Sequence, residues 1–158
     1  MNRVNKIISS PEFKKAIEQT ELAEADRIYC LHGFDHAADV ARISYIISLE
    51  EKLNIQKDII YAAALLHDTG RFKQYSDGTP HQKASMELAK AILPECGYDE
   101  TEIAEILSAI DCHRHGKTKN RLGEILQKAD NLSRLCFKCK ARSGCKWSSD
   151  EMNMTITY

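Results

Sequence analysis

The sequence predicts an all-α fold, and three observations predict it. Apolar residues recur at helical spacing through most of the chain. Only 7 glycines and 3 prolines occur among 158 residues, too little turn chemistry for a β-rich fold. No stretch before Met152–Tyr158 alternates polar and apolar residues convincingly at period 2. The elements follow in chain order. Ser10-Pro11 joins a good N-cap to a first-turn proline, and opens a helix expected to run to about Cys30 and end near Gly33. A second helix begins around Asp35, carries Val40, Ile43 and Ile47 on one face, and ends near Asn54. A third, about Gln56 to Asp68, is rich in Ala and Leu and is stopped by Gly70. Thr69–Thr79, a polar connection containing Asp77-Gly78, reads as a loop. Thr79-Pro80-His81-Gln82 supplies an N-cap, a first-turn proline and a capping-box Gln for a fourth helix that ends before Pro94. Asp99-Glu100-Thr101-Glu102 opens a fifth, with Ile103, Ile106 and Ile110 on one face. A sixth runs from about Lys119 to Cys136 through Leu122, Leu126 and Ala129.

Composition bounds the function classes. A chain of 158 residues and 17.9 kDa is one domain's worth. Residues 1–135 form the helical domain. Residues 136–158 shift in composition, with three cysteines, Gly144 and the sole tryptophan, Trp147, and are too short to fold without a metal or a neighbour. Lys and Arg number 22 against 23 Asp and Glu, so the net charge of −1 offers no bulk attraction to a nucleic-acid polymer or an anionic membrane. The basic patches Lys117–Arg121 and Lys138–Lys146 read as solvated or phosphate-facing surface. No segment approaches the roughly 20 apolar residues of a membrane span, and Met1–Phe13 lacks a secretory hydrophobic region. The expectation is a cytoplasmic protein whose cysteines are reduced.

Four of these helices carry a metal-capable group on, or at the end of, an apolar stripe. His36 shares a face with Val40, Ile43 and Ile47. His67 lies seven residues after Ile60 and three after Ala64. His113 follows Ile106 and Ile110 by the same intervals, and Asp130 follows Leu122 and Leu126 by eight and four. An unpartnered inward carboxylate costs several kcal/mol or shifts its pKa. A divalent metal shared with histidine would partner it, and imidazole with carboxylate suits Fe, Mn, Ni or Zn better than Mg. The structural alternative treats each His as a satisfied core histidine and Asp130, followed by Asn131, as a helix-end cap.

These residues resemble the H…HD…D signature of the HD-domain superfamily. Ala62-Ala63-Ala64-Leu65-Leu66-His67-Asp68-Thr69-Gly70-Arg71 is similar to that family's AALLHDIGK segment. His36–Ala41 resembles its first helix, and Ile106–His113 the helix bearing a further His. The resemblance spans about residues 30–135. It implies a helical bundle holding one or two divalent transition metals (Fe, Mn, Ni, Co or Zn), in a family of mostly phosphohydrolases. Carried over, His36, His67, Asp68 and Asp130 would hold the first metal, with Asp68 bridging to a second. His81 and His113 match the histidines that hold that second metal in the binuclear branch; the alternative for His81 is an exposed helix-start residue. His115 reads as an exposed or substrate-facing residue, and His32 as a surface residue or as one that supports the ligands from behind or meets substrate. Arg71 stands where the family commonly has Lys, and offers a bidentate fork for a substrate phosphate in place of a point charge. Asp68 and Arg71 are the candidate catalytic residues, with Lys73 or Lys117 assisting Arg71. The glycine-tyrosine-proline extension of the cyclic dinucleotide branch is absent after Cys112–Lys117, which counts against that substrate.

Cys136, Cys139 and Cys145 form a C-x2-C-x5-C cluster, and Cys30 is the candidate fourth ligand of a structural zinc. Cys96 and Cys112 are less favoured. Free thiols in a reducing compartment are the alternative, and an iron–sulfur cluster is a third reading. Together the residues and the resemblance imply a phosphohydrolase acting on a small phosphorylated, nucleotide-like molecule. A di-iron oxygenase that uses the same ligands, and a metal-stabilised binding module without turnover, are the alternative readings.

Overall fold

The computed structural model of the chain describes residues 1–112 and 120–158. Among these residues the fold is all-α, with eight α-helices: α1 (Asn2–Ser9), α2 (Pro11–Ala23), α3 (Phe34–Glu50), α4 (Lys57–Leu66), α5 (Arg71–Asp77), α6 (His81–Cys96), α7 (Glu100–Cys112) and α8 (Arg121–Leu132). Among the described residues no helix is long and apolar enough to cross a membrane. The central layer is α3, α4 and α8, with α3 packed on both partners; α6 and α7 close the other side of α4. Ile47, Ile60, Leu66, Leu93, Ile106, Ile110 and Leu126 are fully buried between them. α4 is apolar nearly all round, as a helix surrounded by neighbours must be.

The helix starts follow their capping chemistry. The Ser10 hydroxyl accepts the Phe13 N–H, and Pro11 occupies the first turn. At α7 the Asp99 carboxylate accepts the Glu102 N–H (2.9 Å) while the Glu102 carboxylate accepts the Asp99 N–H (3.0 Å), a reciprocal capping box. The Asn120 side chain caps α8 by accepting from Leu122 and Gly123.

Several boundaries differ from the sequence expectation. α2 ends at Ala23 rather than near Cys30: the Glu24 carboxylate turns inward, and Ala25–Arg27 are all exposed and bury no further face. α1 adds a helix ahead of Ser10, with Val4 and Ile7 buried. The expected loop at Thr69–Thr79 contains α5, a two-turn helix with no buried residue, closed by Gly78 at φ 79°. Thr79 does not cap α6 with its side chain; its N–H donates to the Asp77 carboxylate, and the Pro80 carbonyl accepts from Lys83 and Ala84. α6 also runs past Pro94 to Cys96, because a proline so near the end removes little of the ladder and Gly97, at φ 88°, closes the helix. The alternating Met152–Tyr158 segment forms no strand. Tyr158 instead folds back to donate a hydrogen bond to Glu50 (3.0 Å).

Candidate metal centre

The ends of α3, α4 and α8 and the start of α6 converge on one carboxylate. Asp68 lies two residues past the end of α4 and is 3% exposed. Its Oδ2 lies 3.4 Å from His67 Nε2 and 3.9 Å from His36 Nε2. Its Oδ1 lies 3.2 Å from His81 Nε2 and 3.0 Å from Arg71 Nε. On the far side of His36, its Nε2 is 3.2 Å from Asp130 Oδ1. His36, His67, Asp68 and Asp130 are therefore brought together as their helical positions predict, and His81 joins them as the resemblance implies. His81 is fully buried rather than an exposed helix-start residue. His113, with His115 and Lys117, lies outside the described residues.

The close approach of α6 depends on Gly70. A Cβ at this position would sit 2.4 Å from the His81 carbonyl oxygen, 2.5 Å from the Ser85 N and 2.6 Å from the Ala84 Cβ. Glycine alone lets the first turn of α6 lie against the turn after Asp68. The contact is fastened by the Gly70 N–H donating to Ser85 Oγ at 2.8 Å.

Hydrogen bonds on the far ring nitrogens orient the imidazoles. His67 Nδ1 is 2.6 Å from the Ala64 carbonyl and His81 Nδ1 is 2.7 Å from Gln74 Oε1. Both oxygens can only accept, so each Nδ1 carries a proton and Nε2 is the nitrogen turned to Asp68. The Ser133 hydroxyl donates to the Asp130 carbonyl (2.7 Å), so at 3.2 Å it accepts from His36 Nδ1–H. Three Nε2 atoms and two carboxylates thus face one another in a buried space. The ligand atoms of His36, His67 and Asp68 lie within 4.8 Å of one another. Such a set needs positive charge among its members. Burial pushes the His36 imidazole down to about 4, leaving it neutral. Burial also pulls on His67, but the Asp68 carboxylate outweighs it and raises its pKa. A divalent cation would supply the positive charge directly, and the nitrogen–oxygen donor set fits a transition metal.

Behind the ligands lies a second layer, of which the sequence suggested only His32. Glu24 receives hydrogen bonds from the His32 N–H (2.7 Å), His32 Nδ1 (2.5 Å) and the Tyr75 hydroxyl (2.5 Å). Burial opposes ionisation of Glu24, yet these donors hold its pKa below the ordinary value. His32 is buried and kept neutral by that burial, so its Nε2 accepts from the Arg134 guanidinium (3.4 Å). Arg134 then grips Asp130, through Nε to its carbonyl (3.2 Å) and through a terminal nitrogen to Oδ1 (2.5 Å). Burial would protonate Asp130, but its partners His36 and Arg134 keep it a carboxylate. His32, for which the sequence left open a role behind the ligands, a substrate role and a plain surface position, is a link that orients Arg134. Glu24 and Arg134 carried no sequence signal, because neither sits in a recognisable motif and their contacts to His32 span 8 and 102 residues.

The centre opens into a cleft of about 790 Å3. His36, Asp130, Arg71 and Arg134 line it from the side of the centre, together with Arg27, Arg142, Lys146, Tyr29 and Trp147. Arg71 spans Asp68 from this side, with a second contact of 3.1 Å to Oδ2. Cys30, Cys136, Cys139 and Cys145 also line the cleft. None forms a disulfide, and no three of their sulfurs lie within 4.8 Å of one another. A tetrahedral zinc site, as expected from the sequence, would draw its sulfurs to about 3.8 Å from one another for Zn–S bonds near 2.3 Å.

Residues 33–135 match the HD domain family. An "Uncharacterized protein" of Clostridium beijerinckii is 41% identical over 158 residues, the full length of both chains. "Putative phosphohydrolase YueE" of Bacillus subtilis is 32% identical over 116 residues, covering 63% of this chain and 65% of its own. The fold is similar to the crystal structure of a "predicted HD superfamily hydrolase" from an uncultured Thermotogales bacterium. The TM-score is 0.64 at 26% identity, covering 96% of this chain and 87% of that one. The signature His36, His67-Asp68 and Asp130, gathered at the base of an all-α bundle and matched over residues 33–135, makes this chain a member of the HD domain family.

Proposed function

We propose that the chain is a metal-dependent phosphohydrolase that cleaves a phosphate ester or anhydride of a small, nucleotide-like molecule. The observation that carries the reading is the partition of Asp68. One oxygen faces His36 and His67, and the other faces His81 and Arg71. His36, His67, Asp68 and Asp130 would hold one divalent transition metal, and His81 would contribute toward a second bridged by Asp68. When bound, such a metal supplies Lewis-acid polarisation and an acidified water.

The chain's own groups supply the remainder. Neutral His36 and ionised Asp130 are poised to ligate without first losing a proton. The Glu24–His32–Arg134 chain fixes the direction of the Asp130 carboxylate, as outer hydrogen bonds do for metal ligands. Arg71 lies at the cleft wall beside Asp68 and retains donors for a phosphoryl oxygen. Arg27, Arg142 and Lys146 extend positive charge along the cleft, which suits a substrate with more than one anionic group. Tyr29 and Trp147 add aromatic surface for a planar base.

The reading is tested by phosphate release from a panel of nucleoside mono-, di- and triphosphates and simple phosphate esters, after loading separately with Mn, Fe, Co, Ni and Zn. Turnover by wild type and its loss in Asp68→Ala, with helix content retained, is the expected result. Absence of phosphate release with every metal, or equal release by Asp68→Ala, would overturn it.

A further inference from the structure

We propose that Cys30, Cys136, Cys139 and Cys145 ligate an iron–sulfur cluster of the four-thiolate class, seated in the wall of the cleft beside the HD metal centre. The inference is independent of the phosphohydrolase reading. These four cysteines all line the cleft, whereas Cys96 and Cys112 do not. Their segments are distant in sequence and are joined by a specific contact. The Tyr29 hydroxyl donates to the Gly144 carbonyl at 2.9 Å, which ties the residue preceding Cys30 to the residue preceding Cys145. Gly144 keeps this approach open, since a Cβ there would lie 3.1 Å from the Tyr29 oxygen. The Cys136–Cys139 segment is held separately, by the Phe137 N–H donating to the Asn153 carbonyl (3.1 Å) and the Asn153 amide donating to the Asn131 (2.6 Å) and Arg134 (3.0 Å) carbonyls.

Two short 3-10 turns, Cys136–Lys138 and Arg142–Gly144, deliver the tail's cysteines. Cys139 and Cys145 each follow one directly, with N–H groups bonded to the carbonyls of Cys136 and Arg142 at 3.1 Å. Around these turns there is almost no core. Cys136 is the sole buried residue from 135 to 158, and Phe137 is 41% exposed. A segment of this length without an apolar core needs another source of cohesion. Thiolate ligation supplies one, and the absence of disulfides leaves all four sulfurs free for it.

Spacing argues against a single zinc. One tetrahedral zinc draws its four sulfurs within about 3.8 Å of one another, given Zn–S bonds near 2.3 Å. Here no three lie within 4.8 Å. In a [4Fe–4S] cluster each thiolate binds a different iron, so the four sulfurs stand further apart around a larger body. The cleft has room for that body. A cluster held by four thiolates is anionic, and Arg27, Arg142 and Lys146 line the same cleft.

The test is acid-labile sulfide and iron per chain after anaerobic reconstitution with iron and sulfide, with visible absorption and electron paramagnetic resonance before and after dithionite. Sulfide reports the cluster alone, because a His/Asp site takes none. About four sulfides per chain are expected in wild type and in Cys96→Ser. A loss of tenfold or more is expected in Cys139→Ser and Cys145→Ser, with helix content unchanged. Reconstituted wild type without labile sulfide, with or without one cysteine-dependent zinc, would overturn the proposal. So would undiminished sulfide in both cleft-cysteine variants.

Discussion

His81 Nε2 lies 3.2 Å from Asp68 Oδ1, although α5 and two turns separate the residues along the chain. Asp68 ends one helical segment and His81 begins another, so their meeting depends on how closely α6 approaches the turn at Gly70. That turn has no space for a side chain, and the Ser85 hydroxyl bonds its N–H. The glycine two residues after Asp68 is therefore a packing requirement of the site as well as part of a motif.

Gly70→Ala should displace the first turn of α6 and separate His81 from Asp68. A destabilisation of about 2–4 kcal/mol is expected, as for overpacking against backbone atoms that cannot yield. Metal affinity should fall with it. Thermal unfolding and a metal titration of the variant check both, and a variant of wild-type stability and affinity would refute the packing argument.

Arg134→Ala should weaken metal binding or turnover by roughly 10–100-fold, the usual consequence of losing a partner that orients a metal ligand. The residue touches Asp130, His32 and His36. Glu24→Gln should act in the same direction and more mildly, because Gln keeps one acceptor oxygen in place of the two that receive these hydrogen bonds. An equal loss in a control substitution at exposed Lys138 would show that the effect is unspecific.

Glu24 also sets a pH dependence of stability. Its pKa in the folded chain is below the ordinary value of 4.5, because the hydrogen bonds from His32 and Tyr75 outweigh burial. A carboxyl depressed on folding contributes stability that is complete above its unfolded value and is lost as pH falls through the folded value. The stability difference between wild type and Glu24→Gln should be about 1.5–3 kcal/mol near neutrality, as for hydrogen bonds to a charged group. It should shrink below about pH 4.5. Urea unfolding of the two proteins between pH 7 and pH 3 checks this, and a pH-independent difference would contradict it.

The first helix is fastened by a single arginine. Arg3 bonds Asp58 (2.8 Å) and Glu102 (2.9 Å) and lies 4.2 Å over the Tyr98 ring, joining α1 to α4 and α7. Arg3→Ala should cost about 1–2 kcal/mol, tempered by partial exposure of the network. A thermal midpoint lowered by about 2–8 °C would match, and high salt should narrow the gap. An unchanged midpoint would show that α1 is held by Val4 and Ile7 alone.

The base of the site was legible in the sequence because its ligands obey local rules. His36, His67 and Asp130 sit on or at the end of stripes that a 3.6-residue period exposes, and Asp68 follows directly from His67. The layer behind them, His32 apart, was not. Glu24 lies just past a helix end, Arg134 just past another, and they meet through His32 only after the chain has folded. α5 escaped detection because a seven-residue helix with no buried face leaves no periodic trace. The four cysteines were recognisable as a set. Their common position on the cleft depends on the contact between Tyr29 and Gly144, 115 residues apart.

The most direct test is the content of divalent metal per chain by elemental analysis, in a Cys139→Ser background so that only the His/Asp centre is counted. The parent should hold one to two transition-metal ions per chain, and Asp68→Ala in the same background should lose most of them while keeping its helix content. A parent that binds no transition metal, or an Asp68→Ala protein that binds as much as the parent, would contradict the assignment of the centre.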